Sequence, residues 1–172
     1  MLARQRRILD KDVLSPWLMR DILNEYSNSP CPNICVRSTR VVKLLKYLKL
    51  DDGSLLCSIS DSNFAMMAII TQDCIRSYEV VNRCRITEFT TNTIVLLLDA
   101  HVEWLQPRHF YSMFGNVVKE MKCHSFAVLK IKRLEVYDGD QDPLRIMLKL
   151  IYEEKEYLDT VTPFVTDLMI DS

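Results

Sequence analysis

Between Arg40 and Ile70 the chain carries three extended runs joined by two tight-turn signals, and this stretch narrows the possible folds more than any other. Asp51-Asp52-Gly53 reads as a hairpin, because these residue types accept the positive φ that a two-residue turn demands. Leu55, Cys57 and Ile59 then alternate with Ser54, Ser58 and Ser60, the period of a strand with one buried face. Asp61-Ser62-Asn63 makes the second turn, and Phe64 to Ile70 (FAMMAII) is apolar without interruption, as expected of a strand covered on both sides. The first run, Arg40 to Leu50, is harder to read. Its cations Arg40, Lys43, Lys46 and Lys49 recur every three residues, which fits neither period. A helix would smear them over half its circumference, whereas a long strand accommodates them if bulges shift its parity. The hairpin that follows favours the strand, and a three-stranded meander results.

Upstream, Ser15-Pro16-Trp17 has the form of a helix start, with a capping Ser and a Pro at the first position. Trp17, Leu18, Ile22, Leu23 and Tyr26 continue it to about residue 26, where the prolines between Asn28 and Asn33 break it. Downstream, Thr71 is placed to cap a helix carrying Ile75, Tyr78 and Val81 and ending near Asn82. An extended arm, Cys84 to Asn92, leads into a fourth strand over Thr93 to Leu105. Residues 107 to 122 predict a helix broken near Gly115. Ser125 to Tyr137 predicts a fifth strand whose apolar parity flips between Ile131 and Leu134, the mark of a bulge. Pro143 is expected to open a last helix, 143 to about 159, with Leu144, Met147, Leu150 and Ile151 on one side. The prediction is mainly β with flanking helices: a five-stranded OB-fold barrel, a helix between strands three and four, and helices at both termini. One domain over residues 1–172 is expected, with 1–13 a flexible N-terminus and 160–172 a C-terminal tail.

Composition excludes several chemistries. Gly53, Gly115 and Gly139 are the only glycines and stand too far apart to cradle a phosphate. No G-x-S-x-G is present, and no Cys lies in a nucleophile signature with a partnering His, so a non-enzyme without cofactor is expected. The acidic run D-G-D-Q-D-P lacks the features of a calcium loop, since Pro143 stands at its sixth position and Lys149 at its twelfth. Cys31 and Cys35 could supply half a zinc site. No second pair exists among Cys57, Cys74, Cys84 and Cys123, and the isolated His101, His109 and His124 do not complete one; buried free thiols and no metal are the expectation. Met1 to Arg7 is basic but no apolar stretch follows it, and the longest apolar runs are too short to span a bilayer, which predicts a soluble intracellular protein.

The net charge of -1 conceals a polarity. Residues 1–50 sum to +6, 51–100 to -4, 101–150 to +2 and 151–172 to -5, a pattern suited to a protein partner that reads both signs. An OB fold also raises single-strand binding, through bases stacked on aromatics above a basic groove. Lys43, Lys46, Lys130 and Lys132 would be the contacts. Tyr47 and Phe64 are the sole aromatics of the first three strands, so weak or no direct nucleic-acid binding is expected. Trp104 reads as a packing residue, while Trp17 suits either packing or a surface anchor.

Cys84-Arg85-Ile86-Thr87 with Thr90-Thr91-Asn92 resembles the small telomerase accessory subunits of budding yeasts, the "ever shorter telomeres" family. Ser15-Pro16-Trp17, Ser60-Asp61-Ser62, Thr71-Gln72-Asp73-Cys74 and Thr162-Pro163-Phe164-Val165 resemble further blocks of that family in the same order. The likeness is close over residues 15 to 105 and looser over 126 to 142. It implies an OB fold similar to the telomerase-recruiting domain of the mammalian shelterin protein. It also implies a non-catalytic holoenzyme subunit in the nucleus, at the telomeric region of the chromosome. The implied partners are the N-terminal domain of the telomerase reverse transcriptase and another telomerase accessory subunit. By matching positions, Trp17, Lys46, Thr90, Asn92 and Asp140 resemble partner-binding residues, and Asp61 and Arg85 a structural or functional pair. Physically, Asp61 and Arg85 could tie the barrel to the arm by a charge-assisted bond, or both could be solvated. Thr90 and Asn92 could cap their own turn or face a partner. The chain departs from the family pattern at Phe89, where a Glu is expected, and at Asp142, which replaces an apolar residue.

Overall fold

A computed structural model describes residues 9–27, 32–36, 38–115, 118, 123–139 and 141–161, with Phe89 as backbone alone. In chain order the elements are α1 (Asp10–Val13), α2 (Leu18–Ser27), β1 (Arg40–Asp51), β2 (Ser54–Ser60), β3 (Phe64–Ile70), α3 (Gln72–Asn82), β4 (Ile94–Leu105), α4 (Pro107–Phe114), β5 (Phe126–Asp138), β6 (Lys149–Leu150) and α5 (Lys155–Thr160). Single 3₁₀ turns occupy Glu88–Thr90 and Ile151–Glu153.

The first three strands form the expected meander, turning at Asp52 and Gly53 with φ of 51° and 80°. A side chain at Gly53 would be strained by that φ and would also strike Gln72, 2.7 Å from its Cβ. β3 then runs parallel to β5, β5 antiparallel to β4, and β4 antiparallel to β1, so that pairing passes around β1-β2-β3-β5-β4 and returns to β1. This closed five-stranded barrel is the OB topology. Register slips in β1 at Leu44/Lys46 and Tyr47/Lys49 bring both Lys46 and Lys49 to solvent, which explains a charge spacing that suited neither period. In β5 the partners pass from Leu97–Leu134 through Asp99–Arg133 to Ala100–Ile131, so the bulge lies where the parity flips.

The interior is filled by Leu44, Ile59, Met66, Ile70, Leu97 and Leu129, each at most 1% exposed, with other buried apolar side chains around them. Thr71 caps α3 as expected, its Oγ1 accepting the Cys74 N–H at 3.3 Å, and α3 packs on β5 and β2. Below their parallel pairing β3 and β5 diverge, and two tyrosines take up the freed backbone groups. The Tyr152 hydroxyl accepts the Met67 N–H at 3.1 Å and donates to the Ala127 carbonyl, while Tyr157 accepts from the Ala127 N–H and donates to the Ser125 carbonyl at 2.6 Å. Both rings are fully buried, and burial pushes both phenols well above their ordinary value.

The last helix differs from expectation. Residues 143–148 are not helical; β6 adds to the open edge of β3 at Phe64–Ala65, and α5 begins only at Lys155. An unpaired edge offers backbone partners that a helix would leave unused. Met147, expected on the same side of that helix as Leu150 and Ile151, is 96% exposed while Ile151 is buried. The start of α2 also differs: Ser15 is exposed and the first N–H groups of the helix go elsewhere, as described below. Part of the expected loose N-terminus, residues 9–13, forms a turn fixed to the barrel. Residues 116–117, 119–122 and 162–172, which include parts of the helix expected over 107–122 and of the tail, lie outside the described residues.

Candidate functional site

Asp61 sits at the turn between β2 and β3 with no solvent exposure, and its carboxylate accepts four backbone N–H groups. Oδ1 takes those of Asn63 and Phe64, closing the turn, and Oδ2 takes those of Trp17 and Leu18, all at 2.8 Å. The second pair are orphan donors at the N-terminus of α2, so a residue forty-four positions away along the chain caps the helix. Arg85 is exposed and does not meet Asp61, whose lone pairs are already engaged. The expected Asp61–Arg85 pair therefore does not form; the backbone of α2 is the partner instead.

That cap seats Trp17, which is 3% exposed. Its Nε1–H donates to the Val41 carbonyl at 3.0 Å, and the Arg40 guanidinium lies 5.5 Å above the ring while pairing with Asp21 at 2.6 Å. Trp17 is thus the floor of a groove of about 360 Å³ between α2, the β2–β3 turn and α5, with Leu23, Phe64, Arg20 and Glu156 around it. Of the two readings its position allowed, packing is the one realised, with the groove above it.

The arm runs beside β1. Asn92, at φ 68°, donates its N–H to the Leu44 carbonyl at 2.6 Å, and Leu44 returns its own to the Thr93 carbonyl at 2.9 Å. A left-handed residue is needed there, and Asn tolerates it better than most side chains. The Thr90 carbonyl accepts from the Tyr47 hydroxyl at 3.0 Å and from Thr93 Oγ1 at 2.6 Å, while the Thr90 hydroxyl donates to the Thr87 carbonyl at 2.8 Å. Burial pushes the Tyr47 phenol far above its ordinary value, which keeps it a donor. Thr90 and Asn92 therefore hold the arm against β1 through their backbones, next to the strand that carries the exposed Lys46. Asp140 lies outside the described residues.

The four lysines do not form one basic groove. Lys43 is fully buried, with Nζ 2.7 Å from Asp10 Oδ1 and hydrogen-bonded to the Asp142 carbonyl. Lys130 pairs with Glu103 at 3.3 Å, and only Lys46 and Lys132 are exposed. Sequence reasoning did not find the Lys43–Asp10 pair or the buried Gln141 that accepts the Leu9 N–H at 3.0 Å. The one signal was a lysine between Val42 and Leu44, an ionisable group inside an apolar run. Among the described residues no group of His, Cys, Asp and Glu is placed to hold a metal ion, and Cys31 lies outside them. Cys35, Cys57, Cys74, Cys84 and Cys123 are free thiols. No helix of the described residues is long and apolar enough to cross a membrane.

The model of the TPP1/ACD shelterin complex subunit family matches residues 14–147, from the turn before α2 through all five barrel strands. The chain belongs to that family. Its relatives include the telomere replication protein EST3 of Kluyveromyces lactis, 25% identical over 83% of this chain and 75% of that protein. EST3 of Debaryomyces hansenii is 29% identical over 83% and 78%. EST3 of Candida glabrata is 30% identical over 65% and 64%. The Est3 telomerase subunit of the yeast Hansenula polymorpha has the same fold, with a TM-score of 0.67 at 18% identity over 96% of this chain and 93% of that one. The family match includes the Asp61 cap, the arm and Lys46, so the features that shape this surface lie inside the shared domain.

Proposed function

We propose that this chain is a non-catalytic telomerase subunit that docks on the N-terminal domain of the telomerase reverse transcriptase and supports telomere replication in the nucleus. The relatives are telomere replication proteins, and one solved neighbour is a telomerase subunit. The observation that carries docking on protein rather than on a strand is the covering of the barrel. From Ala65 to Ile70 no residue of β3 is exposed, and two of the four candidate lysines are bound by carboxylates. OB folds that grip single strands use the face of strands two and three, with aromatic platforms above a basic groove. Here β6 and Tyr152 of the C-terminal segment lie along β3. The open surface is Lys46 with the arm at Arg85 to Asn92, and the groove over Trp17 at the β2–β3 turn adds an apolar floor with both charge signs at its rim. Another accessory subunit is a further candidate for the same surface.

Titrating the full chain with the reverse transcriptase N-terminal domain, and separately with telomeric single-stranded DNA, tests this through backbone amide shifts. Protein addition is expected to shift Lys46, Arg85, Thr90 and Asn92. Shifts produced by DNA alone, with an affinity falling steeply as salt rises, would overturn the proposal.

A further inference from the structure

Lys43 is the one fully buried lysine among the described residues, and it joins three separate stretches of chain. From β1 its ammonium reaches the Asp10 carboxylate at 2.7 Å and the Asp142 carbonyl. Beside it the Leu9 N–H donates to the Gln141 side chain at 3.0 Å, so the N-terminal turn and the stretch after β5 are fastened together on the outside of the barrel. Such a pair is no bargain for stability. Withdrawing an ammonium from water costs several kcal/mol, and an apolar side chain of equal volume commonly serves as well. What the ion pair adds is position. The turn Asp10–Val13 contains no buried residue of its own; Leu9 and Leu14 anchor its ends, and the Lys43–Asp10 bond fixes how it faces. Lys11 and Asp12 are left exposed on it. Lys43 is also next to Leu44, the residue through which the arm at Asn92 and Thr93 pairs with β1. The turn is thereby held at the junction of β1 and the arm, three residues ahead of Lys46 along the strand.

We infer that the turn Asp10–Val13 is a built part of the docking face, and that Lys43 is the positioning residue that presents it. The inference rests on the functional reading above. A turn released from Lys43 would have to be ordered again on binding, and re-immobilising even two side chains weakens affinity by about tenfold.

Three full-chain variants test this, Lys43→Met, Asp10→Asn and Lys11→Glu, each compared with wild type for affinity to the reverse transcriptase N-terminal domain and for hydrogen exchange. Lys43→Met leaves only Asp10, which retains access to water, whereas Asp10→Asn takes the counter-ion from the buried Lys43 ammonium and leaves it an amide oxygen as acceptor. Lys43→Met and Asp10→Asn are expected to speed exchange at the amides of Leu9, Asp12, Val13 and Leu14, leave those of Val95 and Leu129 protected, and weaken binding about tenfold. Lys11→Glu is expected to weaken binding a few-fold with exchange unchanged. Unchanged exchange in Lys43→Met would show that Lys43 does not hold the turn. Faster exchange with wild-type affinity would remove the turn from the docking face. Failure of the wild type to bind the domain overturns the functional reading and the docking half of the inference with it, while exchange still decides whether Lys43 holds the turn.

Discussion

The Asp61 carboxylate accepts the backbone N–H of Trp17 at 2.8 Å, and through that bond the turn between two barrel strands becomes the cap of the N-terminal helix. The same carboxylate closes its own turn, so turn geometry and helix placement depend on one side chain. Replacing it with Ala strands four donors at a site without solvent. We expect Asp61→Ala to lower stability by about 3 kcal/mol or more, and Asp61→Asn by roughly half of that because one acceptor oxygen survives. Denaturant unfolding measures both. Any loss of telomerase association in these variants would follow from displacement of α2 and Trp17.

Arg85 carries the opposite expectation. It is exposed and no bond joins it to Asp61, so Arg85→Ala should change unfolding free energy by no more than about 0.5 kcal/mol. Binding to the reverse transcriptase domain should nonetheless weaken. Melting and affinity measured on the same preparation decide the matter: a fall in melting that accounts for the lost binding would return Arg85 to a role in the fold.

The contrast between Asp61 and Arg85 also marks where sequence reading works. Local chemistry was legible: the hairpin at Asp52-Gly53, the Thr71 cap, the limits of β3, and the bulge between Ile131 and Leu134 all follow from turn propensity and period. What failed were groups satisfied at a distance. Ser15 has the residue type of an N-cap, but a buried carboxylate outcompetes it, and nothing near Ser15 announces Asp61. Residues 143–151 have helical spacing, yet the free edge of β3 recruits Lys149 and Leu150 as a strand. Lys43 looked like one of four surface cations because only the fold brings Asp10 and Asp142 to it. For the same reason the sequence did not separate Asp61 and Trp17, which are buried beneath the candidate surface, from Lys46 and Arg85, which lie open to solvent.

Tyr152 bridges β3 and β5, Tyr157 serves the start of β5, and their rings meet edge to face at 5.6 Å. Tyr152→Phe keeps the ring and strands the Met67 N–H and the Ala127 carbonyl; Tyr157→Phe strands the Ala127 N–H and the Ser125 carbonyl. Each is expected to cost about 1–3 kcal/mol. Because both hydroxyls serve Ala127, the double variant should cost measurably less or more than the sum, and a double-mutant cycle on urea unfolding reads that coupling. Hydrogen exchange at Met67 and Ala127 should rise in the corresponding single variants.

The buried thiols make stability fall on the alkaline side. Burial raises Cys57 from its ordinary 9.0 to about 12 and Cys74 to about 11. Below pH 9 folded and unfolded chains both hold these protons, and the contribution is complete. Above it the unfolded chain releases them while the folded chain does not, so the unfolded state binds fewer protons and stability declines as pH rises toward the folded values. The slope approaches about 1.4 kcal/mol per pH unit for each thiol. Unfolding free energy measured between pH 8 and 10 should therefore decline, before the Tyr78 phenol, raised by burial to about 12, adds its own term above pH 10. Cys57→Ala and Cys74→Ala should each flatten the decline. Alkylation supplies an independent check, since the exposed Cys84 should react in the folded protein while Cys57 and Cys74 react only as it unfolds.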